Sequence, residues 1–235
     1  PSPLLATAVL GAYAIKEFGT DKQKSKYLPL IADGEITTAV AFDESSHHDI
    51  SNTELSAVEA DGSFVLNGSK KLVVDGSSAD VLIVLGRTSG AKGEMAGLSL
   101  FILESRTDGV SRAKLDMADS RNYANIEFND VVVSPDALLG SREAGGEAMD
   151  HILDIGRIAL SAEMLGNAEA AFSTTIDYLK ERKQFGVLIG TFQALQHRAA
   201  EMFCEIELTK SSVMAAMQGA DENSNQLQVL ASLAK

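Results

Sequence analysis

Glu181-Arg182-Lys183-Gln184-Phe185-Gly186 decides how the fold is read, because it separates two long runs of helical periodicity. Before it, Met149, Ile152, Ile155, Ala159, Ala162, Leu165 and Ala168 recur every three or four positions, which predicts an amphipathic helix from about Glu147 to Glu181. After it, Leu195, Ala199, Met202 and Ile206 fall on one face of a second helix that begins near Phe192. Two long helices joined by a short, glycine-bearing loop pack as an antiparallel pair. Within the loop, a guanidinium can fork onto a pair of phosphates, Gln184 adds neutral hydrogen bonds, and Gly186 lets the backbone turn closely. The same residues also fit a helix end whose cations face a negative dipole. Taken alone, the stretch leaves both readings open.

Upstream the texture differs. From about residue 36 to residue 140, short β-branched runs alternate with Gly, Asn, Asp and Ser, which is the chemistry of strands and turns. Phe64-Val65-Leu66, Asn67-Gly68 and Lys70 to Val74 predict a hairpin, since Asn-Gly tolerates the positive φ angles of a tight turn. Val81 to Arg87 and Leu98 to Glu104 are further strands, and Ala124 to Val133 supplies one or two more. No helical pattern intervenes, so antiparallel pairing is expected. Before the strands, Leu5, Val9, Ala12 and Ile15 mark a helix that stops at Phe18-Gly19, and Thr20-Asp21 caps a second, short one. The expected class is α+β: a helical segment, a small antiparallel β domain, then a bundle of long helices.

Composition excludes several kinds of function. A chain of 235 residues with 45% hydrophobic residues buries a sufficient core without disulfides or metals. Its net charge of −13 repels nucleic acid and anionic membrane. No apolar run approaches the roughly 20 residues of a membrane span. The single cysteine, Cys204, fits a reducing compartment, with the cytoplasm as the default. Pro1-Ser2-Pro3 and Leu233-Ala234-Lys235 read as cuts in a longer protein. His47-His48 lacks a nearby third ligand, so it reads as solvated or structural and no metal is expected. Glu163 suits the polar face of its helix better than a role as a buried base, and Gly145-Gly146 reads as a hinge before that helix.

Gln184-Phe185-Gly186, Phe192-Gln193 and Ala199-Ala200-Glu201-Met202 resemble the acyl-CoA dehydrogenase family, whose pattern here runs Arg-x-x-Phe-Gly, Gln, Ala-Asp-Met. Asp154-Ile155-Gly156-Arg157 with Leu165-Gly166 is similar to the family's long helix in its short-chain form. Asn67-Gly68-Ser69-Lys70 and Phe128-Asn129-Asp130-Val131 with Val133-Ser134-Pro135 match two β-domain motifs, so four ordered motifs span nearly the whole chain. The resemblance implies three parts: the end of a helical domain at residues 1–35, a middle β domain at 36–140, and the start of a helical bundle at 141–235. It further implies a homo- or hetero-tetramer, FAD as cofactor and electron-transfer flavoprotein as electron acceptor. Arg182, Gln184 and Phe185 would meet the pyrophosphate and ribityl end of a partner subunit's flavin, and Phe192 and Gln193 would lie near its adenosine end. Asp154 and Arg157 match positions lining the acyl-CoA channel, and Arg157 suits an anionic substrate.

Two segments depart from the family. Where it carries T-E-P-x-x-G-S-D, this chain has Phe42-Asp43-Glu44-Ser45-Ser46-His47-His48-Asp49, and where it carries W-I-T the chain has Leu72-Val73-Val74. Hydroxyl donors expected at a flavin ring are thus replaced by the hydrocarbon of Phe42 and Val74. The catalytic base of one branch sits at the position of Gly156, which cannot serve, so the base is expected beyond Lys235. Three readings follow: FAD-dependent α,β-dehydrogenation of an acyl-CoA thioester, a half-site subunit lending residues 182–186 to a partner's FAD, or a flavin-free acyl-CoA-binding relative.

Overall fold

A computed structural model describes every residue except Pro1, Ser120 and Asn223. The chain forms two compact units, Pro1–Leu153 and Asp154–Lys235. The first is built on an eight-stranded sheet. Its strands are β1 (Thr38–Ala41), β2 (Ser56–Ala60), β3 (Ser63–Val74), β4 (Val81–Arg87), β5 (Leu98–Glu104), β6 (Val110–Asp116), β7 (Asn122–Val133) and β8 (Leu138–Leu139). The spatial order is β6-β7-β3-β2-β4-β5-β8, with β1 on β4.

The α+β class is observed, but the sheet is mixed. β1 runs parallel to β4, and β2 meets β4 in parallel at Ser56 and Arg87, whereas the other pairs are antiparallel. β4 accepts a parallel neighbour because it is apolar on both faces. Its Leu82 and Val84 enter one core with Leu66, Phe101 and Phe128, and Ile83 and Leu85 enter another with Ile15, Met149 and Ile152.

Helices cover that second face. The expected first helix is present, as π-helical turns over Leu4–Gly11 that continue into α1 (Ala12–Phe18). It lies close on β1. A Cβ on Gly11 would fall 1.8 Å from Thr38 Oγ1, and the Thr38 amide donates to Thr7 Oγ1 at 3.0 Å while Thr38 Oγ1 donates to Ala6 O at 3.2 Å. α2 (Asp21–Ala32) starts in a capping box, with the Gln23 amide on Thr20 Oγ1 and the Thr20 amide on Gln23 Oε1. Gln23 Nε2 also donates to Asp136 O and Leu138 O, so the cap holds β8 as well.

The expected turn at Asn67-Gly68 is not there. β3 continues through both residues, and the β2–β3 turn is made by Asp61 and Gly62, with φ of 50° and 74°. The Asn-Gly pair serves a register slip against β7. Asn67 exchanges hydrogen bonds with Asp130, accepting from its amide at 2.8 Å and donating to its carboxylate at 3.0 Å. Gly68, at φ 143°, lets Leu55 pack on the strand, since a Cβ there would stand 2.8 Å from Leu55 Cα.

In the second unit α3 (Gly145–Glu181, entering from the first unit) meets α4 (Gln193–Asp221) and α5 (Leu227–Ala234), and a small hairpin, β9 (Lys183–Gln184) with β10 (Val187–Leu188), links α3 to α4. α3 and α4 are antiparallel, as expected. Phe172 meets Phe203 at 6.3 Å, Lys210 pairs with Glu169 at 3.2 Å, and Ile158 shares a core with Val213 and Ala216. Gly145 and Gly146 are not a hinge but the first residues of α3. Each marks a close crossing: a Cβ on Gly145 would lie 2.6 Å from Ser99 Cα, and one on Gly146 2.7 Å from Met95 O.

The two positive-φ glycines of the β2–β3 region give a contrasting pair of substitutions. Gly68→Ala adds a backbone clash to an unfavourable φ and is expected to cost about 2–4 kcal/mol. Gly62→Ala, at φ 74° with open space around it, is expected to cost about 1 kcal/mol. Urea midpoints of the two variants at unchanged slope measure the difference, and equal values would refute the bulge role of Gly68.

Candidate functional site

The first unit brings together the two segments that depart from the family pattern. The Lys71 amide donates to Asp43 O at 2.8 Å, and Lys70 reaches past it, Nζ donating to Phe42 O at 3.0 Å and to Glu44 Oε1 at 2.7 Å. Lys70 is fully buried. Glu44 closes the loop by accepting from the amides of Glu54 and Leu55 at 2.8 and 3.0 Å. One ammonium and one carboxylate thereby fix residues 42–44 against β3 and against the return of the chain into β2. Burial pushes the Lys70 ammonium down to about 8, although attraction to Glu44 works the other way.

Asp43, held by this anchor, has its carboxylate on His48 Nδ1 at 2.9 and 3.2 Å. The imidazole stands edge-on to the Phe42 ring, with centroids 5.6 Å apart. Asp49 caps the 3-10 turn Ile50–Asn52, accepting from the Ser51 amide and hydroxyl and from Asn52 Nδ2. Across from this loop, β3 slips register again between Lys70 and Val73. Leu72 in the slip has φ 53°, and its amide donates to Asn125 Oδ1 at 3.2 Å. A leucine at positive φ is a strained backbone outlier, of the kind that clusters at ligand-facing sites.

The second unit carries the other candidates. β9 and β10 pair Gln184 with Val187, and the turn uses Phe185 at φ 51° and Gly186 at φ 81°. Phe185 is 91% exposed, and its ring meets Phe192 edge-on at 6.2 Å. Gln184 Nε2 donates to Lys183 O. The Arg182 guanidinium is exposed and has no hydrogen-bond or ion-pair partner among the described residues. Gln193 opens α4 beside them. Arg182, Gln184, Phe185, Phe192 and Gln193 therefore share one end of the helical hairpin. Asp154 and Arg157 pair with each other at 2.5 Å on α3, Asp154 being buried. Seven helical turns, roughly 40 Å, separate Arg157 from Arg182 along α3, so these are two places and not one.

Sequence reading missed the Lys70–Glu44 anchor and the Asp43–His48 pair. A signal for the first was present: Phe64, Leu66, Gly68 and Lys70 share the inward parity of β3, and an inward lysine requires a partner. Nothing in the pattern linked Asp43 to His48. Among the described residues no cluster of three or more metal-ligating side chains occurs, and no helix is long and apolar enough to cross a membrane.

A sheet unit with a positive-φ bulge is followed in the chain by an antiparallel helix pair whose tip displays an exposed arginine and an exposed phenylalanine, and both parts match one known family. The family model of the acyl-CoA dehydrogenase middle domain matches residues 42–131, and that of the acyl-CoA dehydrogenase C-terminal domain matches residues 143–235. A short-chain-specific acyl-CoA dehydrogenase of Megasphaera elsdenii is 34% identical over 91% of this chain and 57% of its own length. The solved butyryl-CoA dehydrogenase from Megasphaera elsdenii superposes with a TM-score of 0.92 at 33% identity, over 99% of this chain and 61% of that one. The FAD complex of PigA gives a TM-score of 0.88 at 26% identity, over 99% and 64%. The chain belongs to the acyl-CoA dehydrogenase family. It spans 50–57% of the length of the first curated relatives it matches.

Lys70 makes stability depend on pH in a defined sense. Its folded value of about 8 lies below the ordinary 10.5, so between these values the unfolded chain holds more protons and stability rises with pH. The rise from this group approaches about 3 kcal/mol. Lys70→Met should remove it, leaving a flatter profile than the wild type from pH 8 to 10.5 in denaturant titrations. Parallel profiles would show that Lys70 is not buried as a charged group.

Proposed function

We propose that the protein bearing this chain carries out FAD-dependent α,β-dehydrogenation of an acyl-CoA thioester, with electron-transfer flavoprotein as acceptor. The observation that carries the reading is the hairpin tip: within a chain of this family, a guanidinium with no hydrogen-bond or ion-pair partner among the described residues, a carboxamide and a nearly free aromatic ring stand together on one turn. The donor set suits FAD. Arg182 forks onto a pyrophosphate, Gln184 adds a neutral hydrogen bond, and Phe185 with Phe192 offers apolar surface to the rest of the cofactor. Gln193 extends the same surface. When bound, FAD supplies the hydride acceptor that no side chain provides.

On α3, Asp154 holds the guanidinium of Arg157 in one orientation, and we assign the pair to acyl-CoA, whose phosphates Arg157 attracts in an otherwise acidic protein. Gly156 between them bears no carboxylate, so removal of the α-proton is assigned to no residue of this chain. The three-part division at residues 1–35, 36–140 and 141–235 belongs to this proposal, as does assembly into a tetramer in which tip and β-domain surface come from different subunits.

Phe42 and Val74 favour a second reading. Hydrocarbon at two positions facing the proposed flavin removes hydrogen bonds that a hydroxyl supplies, which suits a half-site subunit that lends its tip and holds no flavin of its own. The number of flavins per chain in the purified full-length complex separates the readings. One per chain supports the self-sufficient enzyme, one per two chains the lender, and none refutes both in favour of a flavin-free acyl-CoA-binding relative.

Arg182→Ala should weaken FAD retention by about 1.5–3 kcal/mol while leaving thermal unfolding unchanged, since the exposed side chain has no hydrogen-bond or ion-pair partner among the described residues. Fluorescence titration of apoprotein with FAD provides the measurement. Unchanged affinity would remove the phosphate role from Arg182.

A further inference from the structure

We propose that residues 50–55 and the β4–β5 loop, residues 88–97, open and close as one unit, with the Arg87 guanidinium as the pin that joins them. The inference stands apart from the FAD reading, because it concerns how two segments of this chain hold each other and needs no ligand.

Arg87 closes β4, and its backbone already meets the start of β2: its amide donates to Leu55 O at 2.7 Å, and it pairs with Ser56. From there the side chain turns back and spends all five of its N–H groups on backbone carbonyls. In the first segment, Nε donates to Thr53 O at 2.8 Å and Nη2 to Ser51 O at 2.9 Å. In the second, Nη2 donates to Glu94 O at 3.0 Å, and Nη1 to Ala96 O at 3.1 Å and Ser89 O at 3.4 Å. The guanidinium is half-buried, so neither segment can leave without stranding charged donors in a place that water reaches poorly.

Other ties run the same way. The Gly93 amide donates to Ser51 O at 2.9 Å, and Lys92 Nζ meets Glu54 Oε2 at 2.6 Å. Ile50 and Met95 belong to the same apolar cluster. The base of the loop is itself tightly closed. The amides of Thr88 and Ser89 both donate to Gly97 O, at 2.8 and 3.2 Å, and a Cβ on Gly97 would stand 2.1 Å from Ser89 O. The loop is therefore a strap with its own internal bracing, and its contacts with 50–55 break together as a local cooperative unit.

Native-state hydrogen exchange of the full-length protein, read by mass spectrometry on peptides spanning 50–55 and 88–97, tests the unit. Arg87→Leu should speed exchange in both segments by the same factor, about tenfold or more, while the β4–β5 ladder over 81–86 and 98–104 keeps its wild-type rate. Arg87→Lys keeps the charge but not the fork, and should give a smaller rise, again equal in the two segments. If Arg87→Leu fails to fold, Arg87→Lys carries the comparison. Faster exchange in one segment alone overturns the inference and makes the two loops independent. Unchanged exchange in both on loss of the guanidinium overturns it as well, since the pin would then hold nothing.

Discussion

The ammonium of Lys70, buried in the core of the β unit, is the constraint from which the candidate site follows. A buried cation must be surrounded by oxygen, and here the oxygens come from Phe42 and Glu44. Their placement fixes the loop. Glu44 spends its remaining acceptor capacity on the amides of Glu54 and Leu55, so the segment from Phe42 to Leu55 is tied at one end to the Lys70 ammonium and at the other to the carboxylate that the ammonium holds. Leu55 then packs on Gly68, which brings the register slip of β3 into the same locality. Burial outweighs the attraction of Glu44, as the lowered value of Lys70 shows. The pair therefore sets geometry at some expense in stability, a common balance for buried ions.

Much of the scaffold was legible because period and punctuation were strong. β4 and β5 occupy the stretches that their unbroken apolar runs marked, and α2 begins at the cap that Thr20 announced. The long helix runs from Gly145 to Glu181 against an expected start near Glu147. Failures fall where local chemistry serves two structures equally. Asn67-Gly68 suits a tight turn and a bulge alike, and only the long ladder with β7 and the approach of Leu55 decide between them. Gly145-Gly146 suits a hinge and a close crossing alike. β6 went unseen because it is an edge strand, with Ser111, Lys114 and Asp116 exposed and no buried face to leave a pattern. The parallel entry of β1 depends on Thr7 and Thr38, thirty-one positions apart, and no short window contains both.

Site residues divide in the same way. The candidates at the hairpin tip fall in two short stretches of one loop, at 182–185 and 192–193, so a local motif placed them together. The Asp43–His48 pair is formed by a loop folding back across five residues, with no periodicity to report it. Adjacent histidines in a polar loop look solvated for good reason, and what distinguishes His48 is the anchoring of its partner, which depends on the inward parity of a lysine more than twenty residues away.

Backbone strain marks each of the two places on grounds that owe nothing to resemblance. Among the described residues, six that are not glycine have positive φ: Asp61, Leu72, Asp75, Asp130, Glu143 and Phe185. Four are acidic residues at turns or irregular points, and aspartate tolerates that region through its short polar side chain. Leucine and phenylalanine do not share that allowance, and both are exposed, Leu72 by 42% and Phe185 by 91%. A bulky apolar side chain held outward in a disfavoured conformation is stabilised neither by burial nor by local hydrogen bonding, so the surrounding structure must impose it. The β3–β7 ladder with the Asn125 contact imposes it at Leu72, and the β9–β10 turn imposes it at Phe185. Phe185 shares its turn with the exposed Arg182 guanidinium, and Leu72 lies two residues from Lys70, whose ion pair with Glu44 anchors the loop that carries His48. Taken each by itself, the two places combine a strained backbone with an exposed apolar side chain, which is surface chemistry suited to a partly apolar ligand.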